Sequence, residues 1–148
     1  VDADEAARRF VGFAVWLKRS FRAELSRVEG GLSEERFRCL LYLAESSGSG
    51  LSRLSERIHI SSSSLCIMLK KLEEDSYVER RRGTVDRRQV EYRITADGRE
   101  RLEEERDRRL AVFSGRLATI PPDDQRRLVA AMDTIQAVLQ REGPPPRT

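Results

Sequence analysis

The chain has 148 residues, with 28 Lys and Arg against 25 Asp and Glu, a formal net charge of +3 and 39% hydrophobic residues. That length allows one domain with a real core, or one domain plus a subunit interface, and the thin apolar content leaves room for burial supplied by a second copy. No apolar run approaches the ~20 residues of a membrane span and none has a signal-peptide layout, while Cys39 and Cys66 lack a Cys-x-x-Cys spacing, which suits a reducing cytoplasm and argues against a disulfide framework or zinc site.

Residues 6–28 have the pattern of an amphipathic helix, with Phe10, Phe13, Ala14, Leu17, Phe21, Leu25 and Val28 recurring at three- and four-residue steps. Gly30-Gly31 stops it. Ser33 reads as the N-cap of a second helix, with Glu34 and Glu35 in its first turn and Phe37, Leu40, Leu41 and Ala44 as its apolar side. Ser46-Ser47-Gly48-Ser49-Gly50 ends it. Leu51, Leu54 and Ile58 mark a short third helix, His59-Ile60 a turn, and Ser61 the cap of a fourth helix reaching about Asp75. The stripe Leu65, Met68, Leu69 and Leu72 faces inward.

Tyr77-Val78 and Val90, Tyr92, Ile94 then alternate apolar with polar residues, as two half-buried strands do. Gly83 permits a tight turn between them. Thr95-Ala96-Asp97-Gly98 opens a long fifth helix, with Leu102, Leu110, Phe113 and Leu117 on one side and a mixed charge run from Arg99 to Arg109 that reads as a solvated face. Pro121-Pro122 breaks it. Asp123-Asp124 starts a sixth, whose apolar face is Leu128, Val129, Met132, Ile135, Val138 and Leu139. The first, fifth and sixth helices carry wide apolar stripes with nothing of their own to bury them against.

The segment Glu79–Arg93 holds six Arg against three acids, a local charge of +3, equal to that of the whole chain. A cationic hairpin directly after a short two-helix unit suits duplex DNA: one helix fills the major groove while the hairpin follows the phosphates. Of the basic residues 25 are Arg and three are Lys. Arg favours phosphate through its bidentate fork, although Arg excess without any Asn more often reflects a GC-rich genome.

Three ordered fragments carry a resemblance. They are Ile60-Ser61-Ser62-Ser63-Ser64-Leu65 with Leu72-Glu73-Glu74-Asp75-Ser76-Tyr77-Val78-Glu79-Arg80, then Asp86-Arg87-Arg88, then Ile94-Thr95-Ala96-Asp97-Gly98-Arg99. From Leu32 to Leu117 the chain resembles the MarR (multiple-antibiotic-resistance regulator) family of winged helix-turn-helix proteins. The resemblance implies a mainly α fold with a small β-hairpin wing (α+β). It divides the chain into an N-terminal dimerisation helix (1–32), a winged helix-turn-helix domain (33–95), C-terminal dimerisation helices (96–142) and a disordered tail (143–148). It also implies a cytoplasmic homodimer, a palindromic double-stranded operator and a small-molecule or oxidant effector. The unpaired apolar stripes are an independent reason to expect the dimer.

By that resemblance Arg88 reaches into the minor groove, whose narrow stretches concentrate negative potential, Asp86 braces the loop, and Arg87 is a second wing contact. The plain alternative is a solvated charged loop. Arg80, Arg81 and Arg82 alternate in direction, so not all three touch phosphate. Ser62 and Ser63, at the start of the recognition helix, are expected to meet phosphates or base edges. Lys70 and Lys71 either hold phosphates or form a solvated face. Cys66 and Ile67 stand at the base-facing middle of that helix, where many relatives carry polar or Arg residues. No Arg, Asn or Gln lies between Ser61 and Leu72 to make a bidentate base contact. Contact with a thymine methyl then remains, with discrimination leaning on the wing and on DNA shape; otherwise Ile67 faces another element and the register is one residue off.

Cys39 reads as a small buried apolar residue. Cys66 is a candidate oxidant-sensing thiol, its acidity raised by a helix start and nearby cations, although family members that sense oxidants carry their cysteine in the first helix. His59 is expected to pack between helices. Phe13, Trp16 and Tyr42 are candidates to line an effector pocket, with plain core as the alternative. No metal, cofactor or catalytic site is expected: the chain has no Gly-rich phosphate loop or metal motif, and its paired carboxylates fall in charged helices. The expectation is a repressor released by its effector, and the rival is a winged helix used for protein–protein contact without DNA.

Overall fold

In the computed structural model, residues 1–26, 29–83, 86 and 89–140 are described. Val28, Arg87, Arg88 and the tail expected at 143–148 lie outside them. The chain divides into two units, Val1–Arg109 and Leu110–Thr148, taken here in turn.

The first unit begins with α1 (Ala3–Leu25), three residues ahead of the predicted start, because Asp2 supplies the cap: its carboxylate accepts from the Glu5 N–H at 2.7 Å. None of its residues is buried. In α2 (Glu34–Glu45), Ser33 caps as expected, accepting from the Arg36 N–H at 3.3 Å. Its buried residues are Cys39, Leu40 and Leu43, whereas Phe37, Leu41 and Ala44 are only partly covered. The third helix, α3 (Leu51–Ile58), buries Leu54 and Ile58 and closes on His59 in the left-handed region at φ 54°. His59 is exposed, so it does not pack between helices as expected; its backbone makes the turn and its ring points to solvent.

Ser61 caps α4 (Ser62–Glu74), accepting from the Ser64 N–H at 3.3 Å. The helix ends in a Schellman motif. The Tyr77 N–H donates to Leu72 O at 2.9 Å and the Ser76 N–H to Glu73 O at 3.0 Å, with Ser76 at φ 64°. Strands β1 (Val78–Arg82) and β2 (Val90–Ile94) pair antiparallel, Val78 opposite Ile94, Arg80 opposite Tyr92 and Arg82 opposite Val90. The turn is wider than a tight two-residue hairpin. The Gly83 N–H donates to Gln89 O at 2.8 Å, and the Gln89 N–H to Asp86 O at 3.0 Å. A third segment joins the sheet: Ser49 and Tyr92 exchange backbone hydrogen bonds of 3.0 and 2.8 Å. The run 46–50 is more than a helix stop, because its Ser49 is an edge of the wing.

Leu40, Leu43, Leu54, Ile58, Leu65, Leu69, Leu72, Val78, Ile94 and Leu102 form one core with Cys39, between α2, α3, α4, the hairpin and the start of α5 (Ala96–Leu117). Thr95 fixes that start: its hydroxyl accepts from the Gly98 N–H at 3.0 Å and donates to Ser76 O at 2.6 Å. Gly98 presses on the chain end of α4, where a Cβ would lie 2.1 Å from Tyr77 O.

The charge run on α5 departs from expectation. Glu105 is fully buried rather than solvated. Its carboxylate accepts from Arg108 Nε at 2.9 Å, from Arg109 Nε at 2.9 Å and from the Leu32 N–H at 3.1 Å. Arg109 also pairs with Glu34 at 2.9 Å and lies over the Phe37 ring at 3.7 Å. Burial pushes the Glu105 carboxyl up, but hydrogen bonds from Arg108, Leu32 and Arg109 outweigh it and hold the pKa at about 2. The run is amphipathic in charge: one acid turns inward because three donors from two elements meet it.

In the second unit α6 (Pro122–Gln140) starts on a proline at its first position. The Gln125 side chain donates to Leu117 O at 3.2 Å and Ile120 O at 3.0 Å, closing the connection. No residue of α6 is buried, and Val129, Met132, Val138 and Leu139 are about half exposed or more, each between 45% and 56%.

Candidate nucleic-acid interface

The inward stripe of α4 is Leu65, Leu69 and Leu72, all buried. Helical spacing therefore turns Ser62, Ser63, Cys66, Ile67 and Lys70 outward together, and all five are exposed, as is Lys71. Ile67 is 74% exposed, so the expected register holds and it does not face another element.

The hairpin stands beside this face. Tyr92 packs against the core, and burial pushes its phenol up, Arg80 pulls it down, and Cys66 and Glu73 push it up again. The strand register puts Arg80 and Arg82 on the Tyr92 side of the sheet. Arg81 takes the other side and pairs with Glu79 at 2.7 Å. The alternation expected from sequence is therefore present, with Arg81 held by an acid. Asp86 is exposed and its carbonyl closes the loop. Arg87 and Arg88 fall outside the described residues.

The two thiols differ. Cys39 is buried, and burial pushes its pKa up to about 12. Cys66 is exposed, but as the fifth residue of α4 it lies past the first turn, where the helix dipole acts most strongly.

Phe13 and Trp16 stack on each other on α1 with ring centroids 6.0 Å apart, while Tyr42 on α2 carries the Arg57 guanidinium 5.4 Å from its ring centre. A groove of about 550 Å³ lies elsewhere, between the first turn of α2 and α4, bordered by Glu35, Arg36, Ile60, Met68 and Lys71. Sequence reading missed Arg36 there; its signal was the pairing of two Ser-capped helix starts, Ser33 and Ser61. Among the described residues no His, Cys, Asp or Glu cluster could hold a metal, and no helix is long and apolar enough to cross a membrane.

A buried trihelical core, an outward-facing fourth helix and an arginine-bearing two-stranded wing define a winged helix-turn-helix protein. Residues 36–108 match the winged helix DNA-binding domain family. The chain is 30% identical over 99 residues to the HTH-type transcriptional regulator YdgJ of Bacillus subtilis, covering 67% of this chain and 60% of that one. It is 33% identical over 76 residues to the HTH-type transcriptional repressor YetL of the same organism, 50% of this chain and 46% of that one. The chain thus spans about half the length of these curated relatives. Among solved structures, YusO of Bacillus subtilis superposes with a TM-score of 0.68 at 22% identity, over 95% of this chain and 99% of that one. The apo form of MarR from E. coli does so with a TM-score of 0.66 at 18% identity, over 86% and 94%. The match over residues 36–108 and these superpositions give the chain a winged helix fold, that of the MarR structures.

Proposed function

We propose that the chain binds double-stranded DNA as a homodimer and represses transcription at a palindromic operator until an effector releases it. The observation that carries this reading is the exposed face of α4, Ser62 to Lys70, together with the Arg80-bearing wing strand, both of which act on the phenol of Tyr92 through Cys66 and Arg80. A helix with a polar, cation-tipped face fits the major groove, and the adjoining hairpin reaches the phosphates. Ser62, Ser63, Cys66, Ile67, Lys70 and Lys71 contact the groove and its walls, Asp86 braces the wing loop, Arg88 enters the neighbouring minor groove and Arg87 is a second wing contact. In the assembly, residues 1–32 and 96–142 supply the dimer contacts and 33–95 the DNA-binding domain, so that two α4 helices sit roughly one duplex turn, about 34 Å, apart.

The repressor assignment is supported by the name of the YetL relative. Release requires an effector that binds a protomer spacing unsuited to the operator better than the suited one. Phe13 and Trp16, stacked on α1, and Tyr42 on α2 are the aromatic groups that would line the effector site.

The test is a mobility shift on operator DNA at two salt concentrations. Binding should weaken steeply with salt, and Arg88→Ala should lower the salt slope by about one phosphate contact. An identical slope in wild type and variant removes the wing assignment. A complete absence of salt-sensitive binding favours the protein-docking reading instead.

A further inference from the structure

We propose that Ile67 reads thymine, through contact with the C5 methyl group in the major groove, and is the residue by which α4 discriminates sequence. The proposal rests on α4 being the recognition helix. Ile67 is 74% exposed and takes no part in the packed core. A single exposed isoleucine is ordinary on a protein surface; the company of this one is informative. It shares its face with Ser62, Ser63, Cys66 and Lys70, all exposed. Between Ser61 and Leu72 there is no Arg, Asn or Gln.

Chemistry then narrows the partner. Guanine is read by a bidentate Arg or Lys fork and adenine by the amide of Asn or Gln. The helix carries neither amide nor guanidinium, and the lysine ammonium, a point charge, suits phosphate as well as base. An aliphatic branch can neither donate nor accept a hydrogen bond. The apolar group that the major-groove wall offers is the thymine methyl. Ser63, one turn earlier, and the neighbouring Cys66 are short, so Ile67 is the apolar side chain that stands proud of this part of the face.

The test begins with selection of bound duplexes from a random-sequence pool by the full chain. The selected duplex is then remade with deoxyuridine replacing each thymine in turn, which removes one methyl and keeps every hydrogen-bonding group. Wild type should lose about fourfold in affinity at one thymine of each half-site, the factor that burial of a single methyl group gives. Ile67→Ala should bind the thymine and uracil duplexes equally, with an unchanged thermal midpoint because the side chain lies outside the core. A uracil penalty that persists in Ile67→Ala, or no penalty at any thymine of a tightly bound duplex, overturns the proposal while leaving DNA binding intact. A pool that yields no bound duplex overturns both.

Discussion

Ser76 and Gly98 show how single positions hold the junction between α4 and the wing. Ser76 adopts φ 64° to close the α4 terminus, a conformation that costs an L-residue about 1 kcal/mol or more and glycine little. Ser76→Gly is therefore expected to stabilise the chain by about 1 kcal/mol in urea denaturation. Gly98→Ala should do the reverse. Its Cβ would meet the backbone Tyr77 O at 2.1 Å, which cannot yield as a flexible side chain does. A loss of about 1–3 kcal/mol is expected, with a lower thermal midpoint. The cysteines separate by accessibility: iodoacetamide should label Cys66 in the native protein and Cys39 only after unfolding, as peptide mass spectrometry would register.

At the scale of elements, the Glu105 cluster ties α5 to α2 and to the chain leading into it. Its carboxylate joins Arg108, Arg109 and the Leu32 N–H, and Arg109 continues to Glu34 and Phe37. Removing the acid would leave the partly buried guanidinium groups of Arg108 and Arg109 without their counter-charge. Glu105→Gln should therefore cost about 3 kcal/mol or more in denaturant stability. The folded pKa of about 2 lies below the ordinary value of 4.5, so the stabilisation is fully present above pH 4.5 and is lost as pH falls from there towards 2. Acid titration of wild type should show that loss, and Glu105→Gln should show a shallower dependence over the same range. Equal acid profiles would remove Glu105 from the account. The same cluster marks a limit of sequence reading. A run of alternating charges shows helical spacing, but which acid turns inward depends on the Leu32 N–H donor, and on the Glu34 carboxylate of α2 that accepts from Arg109, both more than 70 positions away.

At the scale of the whole molecule, the apolar stripes of the outer helices remain to be covered. Phe10, Phe13, Val15 and Trp16 on α1 and Val129, Met132, Val138 and Leu139 on α6 are each at least 43% exposed. Exposed apolar stripes of this kind mark association, and the proposed homodimer is their natural partner. Met132→Glu should shift sedimentation from dimer to monomer and abolish tight operator binding, because one recognition helix retains only half the site. A dimer that persists unchanged in this variant would place the interface elsewhere.

The amino-acid sequence by itself determined the six helices and two strands, because helix periodicity, strand alternation and the caps at Ser33 and Ser61 are local signals. For the outward face of α4 it left two registers, one of them turning Ile67 against another element, and the 74% exposure of Ile67 chose the other. The tertiary structure alone decided the inward turn of Glu105, the Ser49 edge of the wing and the solvent position of His59. Those outcomes depend on groups distant in sequence meeting in space. Hydrogen bonding and desolvation settle them only once the elements have packed.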